Sequence, residues 1–156
     1  MIVDLVRSDL GRVCEIGSVE VPELMVIEAY ATLFQMVSTI RGKLQEGRSA
    51  LDVLWACFPG GSMTGAPKIE AMKIIDSLEP YARGVYSGCI GYFDDSGASD
   101  LSIVIRSFVV KQGHCYFSVG GAVVVDSDPH MEYRETLDKG QALIEALNNV
   151  TAGTLR

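Results

Sequence analysis

Residues 59–68, Pro59-Gly60-Gly61-Ser62-Met63-Thr64-Gly65-Ala66-Pro67-Lys68, set the punctuation of this chain. No regular element runs through Pro-Gly-Gly, and a proline is well placed at the first helical position, where its missing N–H costs nothing. The segment therefore ends one element and opens another. Before it, Ser49 reads as the N-cap of a helix over 50–57. After it, a helix is expected over Pro67–Leu78, closed by Glu79-Pro80. Ile69, Met72 and Ile75, with Ala71, Ile74 and Leu78, cover much of its circumference, so burial is expected.

The flanking pattern is extended. Residues 18–47 are mostly strand-like, and Tyr30–Leu44 is rich in β-branched and aromatic residues before the polar KLQEGR. Further strands are expected over Gly84–Phe93, Leu101–Lys111 and His114–Val119, with turns at Asp94-Asp95-Ser96-Gly97 and Gln112-Gly113. Asp126-Ser127-Asp128-Pro129 places a cap residue before a proline and opens a helix reaching about Asn148. Strands first and a long helix last predict an α+β fold, a mostly antiparallel sheet with packed helices, rather than a parallel βαβ fold. With no repeat, low-complexity tract or linker, residues 1–149 read as one unit and 150–156 as a tail.

Composition narrows the function classes. The chain is 48% hydrophobic, but its apolar runs are short. None approaches the roughly 20 residues that span a bilayer, so no membrane role is expected and the excess is core or surface to be covered. The formal charge of −7, with 13 Lys and Arg spread along the chain, argues against nucleic acid as a partner. A small anion can still be held by a few local cations. Cys14, Cys57, Cys89 and Cys115 form no CxxC pair and sit in apolar stretches, which reads as reduced core thiols of a cytoplasmic protein. The first residues, MIVDLVRSDLG, are interrupted by Asp4 and Arg7 and do not form a signal peptide pattern.

Several residues have chemical potential. Glu132, Glu135 and Lys139 stand at i, i+3 and i+7 of the last helix, on one stripe. Two carboxylates a turn apart suit a hard cation, and Mg²⁺ takes one or two carboxylates with waters and substrate oxygens. The alternative is a solvated face with a Glu135–Lys139 pair worth about a few tenths of a kcal/mol. In the 59–68 turn, free N–H groups before a helix favour an anion, with Ser62, Thr64 and Lys68 adding donors and charge. The turn does not match the phosphate loop GxxxxGK[ST], and a purely structural turn is the competing reading. Arg106, in an apolar strand, requires a carboxylate partner from ligand or protein. Tyr86 is a core aromatic or a ligand contact. Gly120-Gly121 either brings backbone N–H groups to a ligand or forms an ordinary turn.

The order of these features carries a resemblance. MIVDLVRSDLGRV, PGGSMTGAPKIEAMKIIDSLEP, RGVYSGCIGYF, DLSIVIRS and VVDSDPHMEYRETLDK together resemble the chorismate-binding enzymes, the family of the anthranilate, aminodeoxychorismate, isochorismate and salicylate synthases. GGSMTGAPK is similar to the aminodeoxychorismate synthase component I branch, whereas the anthranilate branch carries something closer to AGTVSGAPK.

The resemblance implies an α+β fold like the C-terminal portion of anthranilate synthase component I. It implies Mg²⁺ as cofactor, with Glu132 and Glu135 as ligands. It also implies substrate contacts from Ser62, Tyr86, Arg106, Gly120, Gly121 and Lys139. Magnesium would hold the ring carboxylate and favour loss of the ring hydroxyl, which the branch exchanges for an amine. The ammonia comes from a glutamine amidotransferase subunit or domain, and the product feeds folate synthesis.

The chain departs from the family pattern at Ser8, at Gln35 where a histidine is frequent, at Ala122 in place of a third glycine, and at His130 and Arg134. The acidic residues that complete the metal site, and the lysine that attacks the ring, lie upstream of the block that starts at Met1. Alone, the chain is thus expected to be inactive and to associate with itself through uncovered sheet surface. Two readings compete with this: anthranilate synthase component I, and a non-catalytic ligand-binding remnant.

Overall fold

The computed structural model describes residues 1–30 and 34–154, with side chains described to residue 150. Ala31, Thr32 and Leu33, inside the strand expected over Tyr30–Leu44, lie outside the described residues, as do Leu155 and Arg156 of the expected tail. Two compact units are present, Met1–Ala82 with Ile90–Ser102, and Arg83–Cys89 with Ile103–Arg156.

The first unit opens with a helix that sequence reasoning missed, α1 (Ile2–Gly11). Asp4 in its first turn complements the helix dipole and pairs with Arg7 at 2.9 Å. Val3, Leu5, Val6, Asp9 and Leu10 recur at helical spacing and are its less exposed residues. The chain then folds back, and Val13 and Cys14 join Ala56 in a small core flanked by Leu10, Val19, Leu44 and Val53.

Strands β1 (Glu20–Ala29) and β2 (Phe34–Arg41) pair antiparallel, with Glu20 opposite Arg41 and Ala29 opposite Phe34. The register is irregular between Glu20 and Val26, where Met25 adopts φ 53° and its N–H donates to Ser38 Oγ at 2.9 Å. Leu24, Val26, Ile27, Phe34 and Met36 of this ribbon are exposed.

Helix α2 (Ala50–Cys57) begins at the expected Ser49. The Asp52 carboxylate accepts from both the Ser49 N–H and the Ser49 hydroxyl at 2.8 Å, half of a capping box. Helix α3 (Lys68–Leu78) also lies where expected, but the expectation of burial fails: Ile69 is 69% and Leu78 76% exposed. An apolar circumference needs neighbours on every side, and among its apolar residues named above only Ala71 and Ile75 are half-buried by the described residues. Strands β3 (Cys89–Phe93) and β4 (Ser99–Ile103) form a hairpin, in whose turn Asp94 Oδ1 accepts the N–H groups of Ser96 and Ala98. Gly91 faces the Asp100 backbone so closely that no side chain fits.

In the second unit the expected strands are shorter than the sequence suggested. Residues 84–88 turn instead of extending, with Gly88 N–H donating to Val85 O at 3.1 Å and Ser87 at φ 67°. The expected strand over Leu101–Lys111 is split. Its second half resumes only at β5 (Val109–Lys111), which pairs with β6 (His114–Tyr116), not with a strand reaching Val119. Gln112 and Gly113, at φ 52° and 76°, make the two-residue turn that matches strand twist.

The last helix, α4 (Pro129–Thr154), opens at the expected cap, with Asp128 Oδ1 accepting the Met131 N–H at 2.9 Å, and runs past Asn148. Gly140 faces the 117–119 segment, where a Cβ would make ordinary contact at 3.7–3.9 Å with Val119 and Phe117 side-chain carbons. Phe117 stacks edge-to-face on Phe108 at 5.6 Å.

Candidate functional site

Within the second unit three segments converge: the 84–88 turn with Tyr86, the extended run with Gly120-Gly121, and the first turns of α4 with Glu132. A Cβ on Gly120 would lie 3.0 Å from Tyr86 Oη. A Cβ on Gly121 would lie 3.3 Å from Glu132 Oε2 and 3.6 Å from Thr136 Oγ1. The paired glycines thus let the backbone pass directly against a phenol on one side and a carboxylate on the other. Four residues expected at the site are brought together.

Glu132 is unequally satisfied. Its Oε1 accepts the Ser127 hydroxyl at 2.5 Å, while Oε2 is buried with no hydrogen-bond partner. A buried carboxylate oxygen without a donor is costly, and a cation or a ligand donor relieves it. Thr136 does not serve, because its hydroxyl is spent on the Glu132 carbonyl at 3.0 Å.

Glu135 pairs with Lys139: its Oε1 meets Nζ at 2.6 Å, both side chains being exposed. Among the described residues no three His, Cys, Asp or Glu side chains cluster as metal ligands.

Arg106 corrects the sequence reading. It lies in no strand: β4 ends at Ile103, Ile105 N–H turns back to Ile103 O at 3.0 Å, and Arg106 takes φ 51°. The guanidinium is exposed and forms no ion pair among the described residues, so the expected burial in an apolar strand does not arise. Nearby, Val104 is buried and bonded through both backbone groups, to Gly88 O at 2.9 Å and from Ser87 N–H at 3.0 Å. Ser87 and Arg106 both hold a left-handed backbone that non-glycine residues rarely adopt.

Ser62 sits in the first unit, exposed on a single 3₁₀ turn, Gly61–Met63. Its neighbours there are already committed. Thr64 Oγ1 donates to the carbonyls of Gly60 and Gly61 at 3.4 Å. Lys68, read as a free charge for an anion, is paired: its Nζ contacts Asp9 Oδ2 at 2.5 Å and Cys57 O at 3.2 Å. Sequence reasoning missed Asp9 as its partner. The available signal was an acidic residue on the apolar side of a helical pattern, four residues after Leu5 and three after Val6. Ser127, also missed, was hidden beside the capping Asp128.

The thiols divide differently from the core reading. Cys14 is buried, Cys57 and Cys115 are half-buried, and Cys89 is exposed because its strand belongs to an open hairpin. Burial, and then the charge of Asp9, push the Cys57 thiol above its usual range.

Residues 1–145 match the chorismate binding enzyme family, and the chain belongs to it. An aminodeoxychorismate synthase of Streptomyces pristinaespiralis is 57% identical over 98% of the chain, which covers 21% of that protein. An anthranilate synthase component 1 of Streptomyces coelicolor is 48% identical over 97% of the chain, which covers 30% of it. The crystal structure of anthranilate synthase component I from Streptococcus pneumoniae matches with a TM-score of 0.82 at 42% identity, over 89% of this chain and 32% of that one. The fold is thus α+β, as expected, and the chain spans 21–32% of these relatives' lengths. Among the described residues no helix is long and apolar enough to cross a membrane.

Proposed function

We propose that this chain supplies part of the catalytic domain of an aminodeoxychorismate synthase component I. The reaction converts chorismate to 4-amino-4-deoxychorismate in the cytoplasm, for folate synthesis, with ammonia released from glutamine by an amidotransferase subunit or domain. One observation supports this most: the buried, unpartnered Glu132 Oε2 and the Tyr86 hydroxyl flank a backbone where an added Cβ would crowd both, at 3.3 and 3.0 Å. The higher identity to the aminodeoxychorismate synthase, 57% against 48% for the anthranilate synthase, and the GGSMTGAPK run favour this branch.

The residues fit magnesium. Glu132 offers a buried oxygen lacking a partner, and Glu135 stands one turn along the same helix. The Glu135–Lys139 pair is exposed and worth only about a few tenths of a kcal/mol, so it yields readily to a divalent ion. When bound, the ion supplies charge neutralisation to the ring carboxylate and so favours departure of the ring hydroxyl.

The rest of the chain's contribution is binding and orientation. Chorismate is a dianion. The Tyr86 hydroxyl and the Gly120 and Gly121 N–H groups donate to one carboxylate end, where oriented donors stabilise charge without reorganising. The exposed Arg106 guanidinium, without an ion pair among the described residues, offers a bidentate grip on a carboxylate. Lys139, released by Glu135, lines the same pocket. Ser62 is assigned a substrate-facing hydroxyl by family likeness alone. The chain spans 21–32% of these relatives' lengths, so the reaction is assigned to the longer protein and the isolated chain is expected to be inactive.

Replacing the matching segment of the Streptomyces pristinaespiralis relative with residues 1–145 tests the reading. The chimera should make aminodeoxychorismate from chorismate, Mg²⁺ and ammonium, and Glu132→Ala within it should not. Anthranilate with pyruvate release would instead support the anthranilate branch. A folded, inert chimera would support a non-catalytic remnant.

A further inference from the structure

We propose that Ser127 is the positioning residue that aims Glu132, an inference that rests on the magnesium reading above. The Ser127 hydroxyl is fixed from both sides: it accepts the Val124 N–H at 3.0 Å and donates to Glu132 Oε1 at 2.5 Å. The Ser127 N–H in turn donates to Val124 O at 3.0 Å, closing the turn that holds the hydroxyl in place. Helix capping falls to a different residue, Asp128, so Ser127 is not spent on the orphan N–H groups of α4.

A glutamate side chain has three rotatable bonds and, at a helix start, ordinarily turns to water. Here one oxygen is tethered, and the other is thereby held beside Gly121, buried and without a donor. The hydroxyl occupies one acceptor site of Oε1 and leaves Oε2 without a donor, as the more open coordination position. A second-layer donor of this kind fixes the orientation of a ligating carboxylate, and its removal typically weakens metal binding by about 10- to 100-fold. Ser127 touches neither substrate nor ion and acts only through Glu132.

The test uses the ¹⁵N-labelled chain and Mn²⁺ alone, reading paramagnetic broadening of the Gly121 amide, which detects weak as well as tight binding. In the wild type, Gly121 should broaden selectively as Mn²⁺ is added. Ser127→Ala should require about tenfold more Mn²⁺ for the same broadening. Ser127→Thr, which keeps the hydroxyl, should restore the wild-type response, and unchanged amide positions of residues 124–127 in Ser127→Ala would separate the aiming of Glu132 from support of the turn. If Ser127→Ala loses the amide pattern of α4, Ser127→Cys, with similar volume and a weak donor, gives the same comparison in a folded chain. Equal Mn²⁺ response in wild type and the folded variant overturns the role of Ser127 and leaves the metal reading standing. No selective broadening of Gly121 in the wild type overturns the metal reading, and this inference with it.

Discussion

Lys68 Nζ and Asp9 Oδ2 lie 2.5 Å apart, tying the last turn of α1 to the first residue of α3 across 59 positions of sequence. The side chains are only 14% and 10% exposed, and Lys68 also donates to Cys57 O, at the end of α2. Three helices of the first unit thus meet at one ammonium group. Removing one partner of a pair this buried strands the other charge. Asp9→Asn should therefore destabilise the unit by about 3 kcal/mol, whereas the double variant Asp9→Leu/Lys68→Met should recover most of that loss. Urea unfolding followed by circular dichroism reads both. A loss below about 1 kcal/mol in Asp9→Asn would show the pair to be incidental.

Gly120 and Gly121 are held by neighbours rather than by unusual backbone angles, since only the added Cβ would crowd Tyr86 and Glu132. Gly121→Ala should leave stability within about 1 kcal/mol of wild type. It should nonetheless weaken divalent-ion binding by about tenfold, because Glu132 Oε2 must shift to admit the methyl group. Ion titration beside a melting curve separates the two effects. Unchanged ion binding would refute the close approach as functional.

Asp52 fixes the pH response of α2. Hydrogen bonds from the Ser49 N–H and then the Ser49 hydroxyl, against a smaller opposing effect of burial, hold its carboxyl below the usual aspartate range. A depressed folded value means the contribution is present above the unfolded pKa and lost as pH falls through the folded one. The N-terminus of α2 should therefore fray only in strong acid. Carboxyl NMR should place the Asp52 midpoint below that of a free aspartate, and Ser49→Ala should move it upward. A midpoint at or above the ordinary value would contradict the capping account.

The β1–β2 ribbon presents Leu24, Ile27, Phe34 and Met36 to solvent, an apolar strip flanked by open strand edges. Such surface promotes association. Light scattering should show mass rising with concentration, and Ile27→Lys with Phe34→Glu should suppress it. A monomer at all concentrations would show the strip to be tolerated in water.

Much of this was legible in the residues, and what was not has physical causes. The Ser49 and Asp128 caps and the Gln112-Gly113 turn are local, so sequence alone located them. The break at residues 104–108 was invisible, because Val104 and Ile105 have strand propensity and Val104 is held by bonds to the 87–88 turn, far away in sequence. Helix α1 has a weak signature in so short an apolar run, and its i,i+3 support comes from the Asp4–Arg7 pair. At the site, spacing left Glu132 as one of two readings, and the family resemblance singled it out. Its unequal oxygens were not legible, since they depend on a hydroxyl five residues earlier and a glycine eleven residues earlier. Arg106 is exposed despite apolar neighbours in sequence, because the strand ends at Ile103 and those neighbours do not surround it in space.

The most direct test of the central claim is calorimetric binding of chorismate to the chain with and without Mg²⁺. Binding should require the ion and disappear in Glu132→Ala, with melting behaviour unchanged. Binding that is indifferent to Mg²⁺, or undiminished when Glu132 is truncated, would contradict the assignment of the Tyr86–Gly120–Gly121–Glu132 cluster.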